Sequence, residues 1–162
     1  LKNKGLKTST ISEFIKSSGA SSEKISPHPS SWESTEKELR DGLPYALWQD
    51  PRNKIQQALW QLANLACQTL EKNKSDKNYA SARWHLTRGL ASCAFWWASG
   101  RDLRHVFGPI AWSPDEIERG LNDLTRAVRS LKNKKAKAAK LKTEKLNAKI
   151  RLMVWEKHWK KT

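Results

Sequence analysis

The chain has 162 residues, enough for one sizeable hydrophobic core, but fewer than the roughly 200 that a full (β/α) barrel needs. It carries 31 Lys and Arg against 16 Asp and Glu, which gives a net charge of +15. No apolar run reaches the roughly 18 residues of a membrane-spanning helix, so we expect no membrane segment.

The positive charge is concentrated at the C-terminus. Residues 132–162 contain twelve Lys or Arg and two acidic residues, whereas residues 1–131 contain nineteen basic and fourteen acidic residues. Basic tails attract nucleic acids, anionic membranes or acidic partners. A solvated, Lys-rich helix is the simpler interpretation of the same pattern.

The cysteines and the N-terminus favour a cytoplasmic protein. The sequence is polar after Leu1 and has no apolar segment typical of a signal peptide. Cys67 and Cys93 lie in predicted helices without the spacing of a metal or redox motif, so we expect two buried free thiols in a reducing cytosol. Because the chain begins with Leu, we expect a piece of a longer or processed protein.

The spacing of apolar residues predicts helices throughout and no strand of useful length, so we expect an all-α fold. We expect a bundle of three long helices, with short N-terminal helices and a basic C-terminal helix. The predicted parts are 1–49 (short helices and loops), 50–131 (bundle core) and 132–162 (basic helix). In chain order the predicted helices are 11–17, 32–40, 51–72, 79–99, 114–131 and 132–161.

Capping residues predict where the helices begin. The signals are Thr10 with Glu13, Asp50 with Pro51, and Ser113 with Pro114 and Glu116. Between the second predicted helix and residue 50, Pro44 is expected to hold the apolar segment 43–48 near-extended.

Each long helix carries an apolar stripe that should be buried. The stripes are Ile55, Ala58, Leu59, Leu62, Leu65, Ala66 and Leu70; Leu86, Leu90, Cys93 and Trp97; and Ile117, Leu121, Leu124, Val128 and Leu131. The middle helix has a second apolar face with Trp84, Ala91, Phe95 and Ala98, which indicates a helix packed between neighbours.

No pattern predicts catalysis, a metal or a cofactor. The histidines are far apart and none has a partner at ligand spacing. Asp50, Asp115 and Glu116 are explained by helix capping. Because no nucleophile motif and no Gly-rich phosphate loop is present, we expect no enzymatic activity from this chain alone.

Adjacent aromatic residues are the most informative local feature. Phe95, Trp96 and Trp97 point about 100° apart on a helix, so at least one ring must face away from the core. Trp97 continues an apolar stripe and should be buried, whereas Trp96 should lie at the edge. Such rings at helix ends either close the core or stack on sugars, because the faces of aromatic rings attract the weakly positive C–H groups of a pyranose.

Several segments resemble the region that follows the catalytic barrel in glycoside hydrolase family 57. They are Thr10-Ile-Ser-Glu-Phe-Ile15, Ser31-Trp32-Glu33, Pro44-Tyr-Ala-Leu-Trp48, Ser92-Cys-Ala-Phe-Trp-Trp97 and Trp112-Ser-Pro-Asp-Glu-Ile117. The fourth is similar to a Ser-Asp-Trp-Phe-Trp-Trp motif of that family but has Cys93 and Ala94 in place of Asp and Trp. The resemblance covers about residues 8–131.

The resemblance implies a non-catalytic helical domain of a protein that acts on α-glucans. In that family a barrel supplies the Glu nucleophile and the Asp acid, and the helical region packs on the barrel and lines its cleft with aromatic residues. An α-glucan or a catalytic barrel is therefore the expected partner. The candidate carbohydrate-binding residues are Phe95, Trp96, Trp97, Trp112, Trp48 and Trp32.

The alternative is a basic helical module that binds nucleic acid or mediates assembly. It depends on the C-terminal charge, which should bind polyanions weakly and without sequence preference. The candidate polyanion-binding residues are Lys134, Lys135, Lys137, Lys140, Lys142 and Lys145.

Overall fold

The computed structural model describes residues 8–19, 26–31, 34–91, 93–100 and 111–160, and within them all regular structure is helical. The all-α prediction is therefore confirmed. The helices are α1 Ile11–Ser18, α2 Glu36–Arg40, α3 Ala46–Gln49, α4 Lys54–Glu71, α5 Tyr79–Gly89, α6 Cys93–Trp97, α7 Pro114–Arg129 and α8 Lys137–Trp159, with a 3₁₀ turn at Lys134–Ala136. None of the described helices is both long and apolar enough to cross a bilayer.

Helix α7 is the centre of the structure. It packs against α4, α5, α6 and α8, and α4 also contacts α5 and α8. Its inward side chains are completely buried, and each buried Leu or Ile stabilises the fold by about 1.5–3 kcal/mol. The main core cluster consists of Ile55, Ala58, Leu59, Leu62, Ala63, Phe95, Ala98, Trp112, Ile117, Leu121, Leu124, Ile150 and Val154.

Two of the predicted helix starts are confirmed. Thr10 N donates to Glu13 Oε2 (2.8 Å) and Glu13 N donates to Thr10 Oγ1 (3.3 Å), which forms a capping box. Ser113 Oγ accepts from Glu116 N at 3.4 Å, and Pro114 begins α7.

The predicted start at Asp50 is wrong. Helix α4 begins at Lys54, and Asn53 caps it by accepting from the amides of Ile55 (3.1 Å) and Gln56 (3.2 Å). The Asp50 carboxylate instead accepts from the backbone N (2.8 Å) and Nε (3.0 Å) of Arg52. Because the Asp50 carboxylate binds Arg52 within the turn, it does not cap the helix.

The predicted helix over 79–99 is two helices, because α5 ends at Gly89 and α6 begins at Cys93. Its expected stripe is wrong: Leu90 is 39% exposed and Cys93 is exposed. The face towards α7 carries small residues instead. A Cβ on Gly89 would lie 2.7 Å from Leu124 Cγ, so the two backbones are too close for large side chains between them.

The segment after Pro44 is helical rather than near-extended. Helix α3 spans Ala46–Gln49 and buries Ala46 and Leu47. Proline restricts the residue before it and its own φ, but leaves the residues after it free to form a helix.

Helix α8 confirms the predicted C-terminal helix and takes part in the core. Ile150 and Val154 are completely buried against α4 and α7. On the outer side, the Arg129 guanidinium donates to both carboxylate oxygens of Glu144 at 2.9 and 2.8 Å. The helix thus has one apolar face on the bundle and a Lys-rich face outside.

The end of the bundle formed by the α4–α5 and α7–α8 turns is held together by Asp76. Its carboxylate accepts from the backbone N of Asn78 (2.8 Å), Lys132 (2.8 Å) and Asn133 (2.6 Å), which joins the α4–α5 turn to the α7–α8 turn. The Asn78 amide, followed by those of Asn133 and Lys132, holds the pKa of Asp76 below its ordinary value.

The contact between α6 and α7 depends on Gly120, because a Cβ there would overlap the Cβ of Ala94. We expect Gly120→Ala to lower the free energy of unfolding by about 1–3 kcal/mol, the usual cost of overpacking. The measurement is urea unfolding followed by circular dichroism.

The matched control is the double variant Gly120→Ala with Ala94→Gly. It moves the single methyl group from one helix to the other, so most of the lost stability should return. A double variant as unstable as Gly120→Ala alone would show that the two helices do not pack through these residues.

Candidate functional site

Three segments distant in sequence meet at one end of the bundle. Helix α3 contacts α6, and the chain after α6 returns beside residues 111–113, where Gly100 N donates to Ala111 O at 2.9 Å. We call this region, formed by α3, the start of α4, α6 and residues 111–113, the aromatic end.

A buried amide holds the aromatic end together. Gln56 is 0% exposed, and its Nε2 donates to the carbonyl oxygens of Leu47 (2.7 Å) and Phe95 (3.0 Å). Its Oε1 accepts from Asp50 N at 2.9 Å. One side chain therefore ties α4 to α3, to α6 and to the turn between α3 and α4.

Asn53 makes a second link from the same turn. While its Oδ1 caps α4, its Nδ2 donates to the carbonyl oxygens of Ala98 (2.8 Å) and Ser99 (3.1 Å) after α6. The carbonyl groups at the end of a short helix have no partners within it, so a side-chain donor stabilises them.

Phe95 lies in the core, not on a binding surface. It is 2% exposed and its ring stacks on Trp60 with a centroid distance of 4.4 Å. Trp60 is fixed in turn, because its Nε1 donates to Trp48 O at 2.9 Å. The expectation that Phe95 contacts sugar is therefore wrong, since the phase of α6 points this ring inward.

Trp112 is also a core residue. It is 3% exposed, its Nε1 donates to His158 Nδ1 at 3.4 Å, and Lys157 Nζ lies 4.4 Å from its ring centroid. Helix α8 covers the ring, so the expected sugar contact at Trp112 is wrong. Because His158 is more than forty positions from Trp112 in sequence, this burial is a tertiary effect.

Trp96 and Trp97 form an edge-to-face pair with centroids 4.5 Å apart. Both are half-buried, so the expected full burial of Trp97 is wrong, although Trp97 does pack against the main core. The Nε1 of Trp96 is buried and has no hydrogen-bond partner among the described residues. Trp48 is half-buried and packs against the main core, and Trp32 lies outside the described residues.

The candidate lysines lie on the 3₁₀ turn and on α8, and all but Lys140 are exposed. Lys140 is half-buried and its Nζ donates to Leu131 O beyond the C-terminus of α7, so it stabilises the fold instead of presenting a free charge. The exposed Lys137, Lys142 and Lys145 make the side of α8 opposite Ile150 and Val154 strongly positive, and Lys134 and Lys135 add charge on the 3₁₀ turn.

An ionic network around the buried carboxylate of Asp123 joins α5 to α7 outside the aromatic end. Asp123 accepts from His85 Nδ1 (3.0 Å) and Arg88 Nε (3.1 Å). Burial raises the pKa of Asp123, but the hydrogen bonds from His85 and Arg88 outweigh it and hold the pKa below its ordinary value.

Elsewhere, Cys67 is half-buried and Cys93 exposed, so the expected burial of both thiols is wrong.

The described residues contain no cluster of three or more side chains suited to a metal ion.

The residues that build the aromatic end, Asn53, Gln56 and Trp60, were not predicted from sequence. The available signal was Asn53 followed three residues later by Gln56, the spacing of a capping pattern. It marks the true start of α4 and places an amide on the buried face.

No family model matches the chain, and comparison with curated proteins and with solved structures finds no match either. The functional assignment therefore depends on the residues and their geometry.

Replacing Gln56 by Met keeps the side-chain length and removes its three hydrogen bonds. Because the carbonyl groups of Leu47 and Phe95 lose a buried donor, we expect a loss of at least about 2 kcal/mol in the free energy of unfolding. Gln68→Met, at an exposed position of the same helix, is the control and should change stability little. Equal stability of the two variants would contradict the role of Gln56.

Proposed function

We propose that this chain is a non-catalytic helical domain of a protein that acts on α-glucans and resembles glycoside hydrolase family 57. Its aromatic end would pack on a catalytic barrel and contribute to the wall of the glucan-binding cleft. The observation that carries the proposal is the convergence of residues 44–48, 93–97 and 112–117 at the aromatic end. These are segments on which the resemblance depends.

The side chains left partly open at this end support the proposal. Trp96, Trp97 and Trp48 are half-buried, and Tyr45 is 45% exposed. The indole N–H of Trp96 is a buried donor without a partner in the described part of the chain, which is uncommon in folded proteins. The open parts of these rings are the surfaces that a barrel or a bound sugar would contact.

Catalysis is assigned to the barrel because hydrolysis needs two positioned carboxyl groups, one of them able to give a proton. Asp50 is the acidic residue nearest α3 in sequence. The hydrogen bond from Arg52, acting against burial, holds the pKa of Asp50 below its ordinary value, so the group stays ionised at neutral pH. An ionised carboxylate that is paired in this way does not act as a general acid.

We expect the chain to bind maltooligosaccharides and to show no hydrolysis of them. Titration with maltoheptaose, followed by tryptophan fluorescence, should give a saturable change that is insensitive to salt. Cellooligosaccharides of similar length are the control for linkage, and Trp96→Ala should weaken the binding. Absence of any maltoheptaose signal at millimolar concentrations, or equal binding of both sugars, would contradict an α-glucan domain.

The exposed lysines support a second function, weak binding of polyanions. Lys137, Lys142, Lys145 and Lys149 project from one side of α8, and Lys134 and Lys135 extend that side onto the 3₁₀ turn. Contacts of lysines with phosphates carry no sequence information, so this face would bind without sequence preference. Such binding should fall steeply as salt rises.

We expect the double change Lys142→Gln and Lys145→Gln to weaken binding of a DNA duplex and to lower its salt dependence. Each lost phosphate contact should reduce the slope of log K against log salt by about 0.9. Because both side chains are exposed, the unfolding temperature should stay the same. Affinity that is tight and independent of salt would instead indicate a specific nucleic-acid site.

A further inference from the structure

An open hollow of about 580 Å³ lies between the outer face of α4 and the segment around α3. Two aromatic residues and four amide side chains contribute to its lining. We call it the amide hollow; the residues that matter are Tyr45, Trp60, Gln49, Gln57, Gln61 and Asn64. The sequence pattern did not indicate any of these six as a binding residue.

The amide hollow is nearly free of charge in a chain with a net charge of +15. Among the described residues that line it, Asp50 is the one with an ionised side chain, and Arg52 pairs with it at 3.0 Å. A site for phosphate or a polyanion would present Lys or Arg. The lining therefore favours a neutral ligand.

The amide groups are placed by helix geometry. Gln57, Trp60, Gln61 and Asn64 are spaced so that they share one face of α4, with the aromatic ring among the amides. Gln57 Nε2 donates to Pro51 O, which links this face to the turn after α3. The polar side chains thus surround Trp60.

The two aromatic residues of the amide hollow differ in exposure. Trp60 is held from behind by its stack on Phe95 and by the hydrogen bond from its Nε1 to Trp48 O. Tyr45, which precedes α3, is 45% exposed. A fixed ring and an exposed ring in one hollow can take up the apolar C–H faces of a ligand at small entropic cost.

Neutral sugars match this set of groups. Each hydroxyl both donates and accepts, and each amide side chain offers both functions without a charge. A purely apolar ligand would leave the amides without partners, which is costly. We infer that the amide hollow is a subsite for a neutral oligosaccharide, next to the aromatic end. Naming an α-glucan as that oligosaccharide depends on the proposed function.

The test uses the full chain and titrates maltoheptaose and cellohexaose by calorimetry and by NMR of the side-chain NH₂ groups. We expect perturbed signals from Gln49, Gln57, Gln61 or Asn64. Tyr45→Ala and Gln61→Ala should each raise the dissociation constant roughly threefold to tenfold, as for loss of one stacked ring or hydrogen-bonding group.

Matched variants separate this effect from loss of structure. Gln68→Ala changes an exposed amide of α4 that does not line the amide hollow, and should leave binding unchanged. Gln61→Lys introduces a charge at an exposed position and should weaken binding while the unfolding temperature stays the same. It keeps the test decisive if Tyr45→Ala fails to fold.

The outcomes distinguish this inference from the proposed function. If the chain binds maltoheptaose and the hollow variants bind it as well as the wild type, the subsite is overturned and the α-glucan proposal stands. If the variants weaken binding of cellohexaose but maltoheptaose does not bind, the subsite is supported and the α-glucan proposal falls. Binding of neither sugar overturns both.

Discussion

The close approach of α7 to its neighbours is the constraint on which the rest of the structure depends. Gly89 and Gly120 have no side chain where α5 and α6 touch α7, and the neighbouring positions are filled by Leu124 and Ala94. Interhelical distance is set by the side chains at the contact. Because these contacts are so short, the larger side chains of α5 and α6 must point away from the contact with α7. The orientation of each helix about its own axis therefore decides which aromatic rings are buried.

The aromatic end follows from this arrangement. With α6 pressed on α7, Phe95 turns inward onto Trp60, while Trp96 and Trp97 stay half-buried at the rim. Gln56 then satisfies the carbonyl groups that short helices leave open. A polar residue in the core thus positions a surface, since the ends of α3 and α6 would otherwise lack a common support.

The Lys-rich face of α8 and the amide hollow are separate surfaces. The candidate polyanion-binding lysines lie on the 3₁₀ turn and α8, whereas the amide hollow beside α3 and α4 is lined mostly by neutral groups. Electrostatic attraction acts over roughly 8 Å at physiological salt. A polyanion on α8 would be bound by charge, whereas a neutral ligand at α4 would be bound by hydrogen bonds and ring contacts. A chain of basic composition can therefore also present a largely uncharged surface.

The sequence by itself determined the all-α class, the capping at Thr10 and Ser113, the stripe of α7 and, except for the half-buried Leu65, that of α4. These features follow from patterns within a few residues. Only the tertiary structure decided the break after Gly89, the phase of α6 and the burial of Trp112. Each depends on a distant partner: Leu124 against Gly89, Ala94 against Gly120, and α8 over Trp112. Local periodicity reports which face is apolar, but the distance between backbones decides how large a side chain that face can bury.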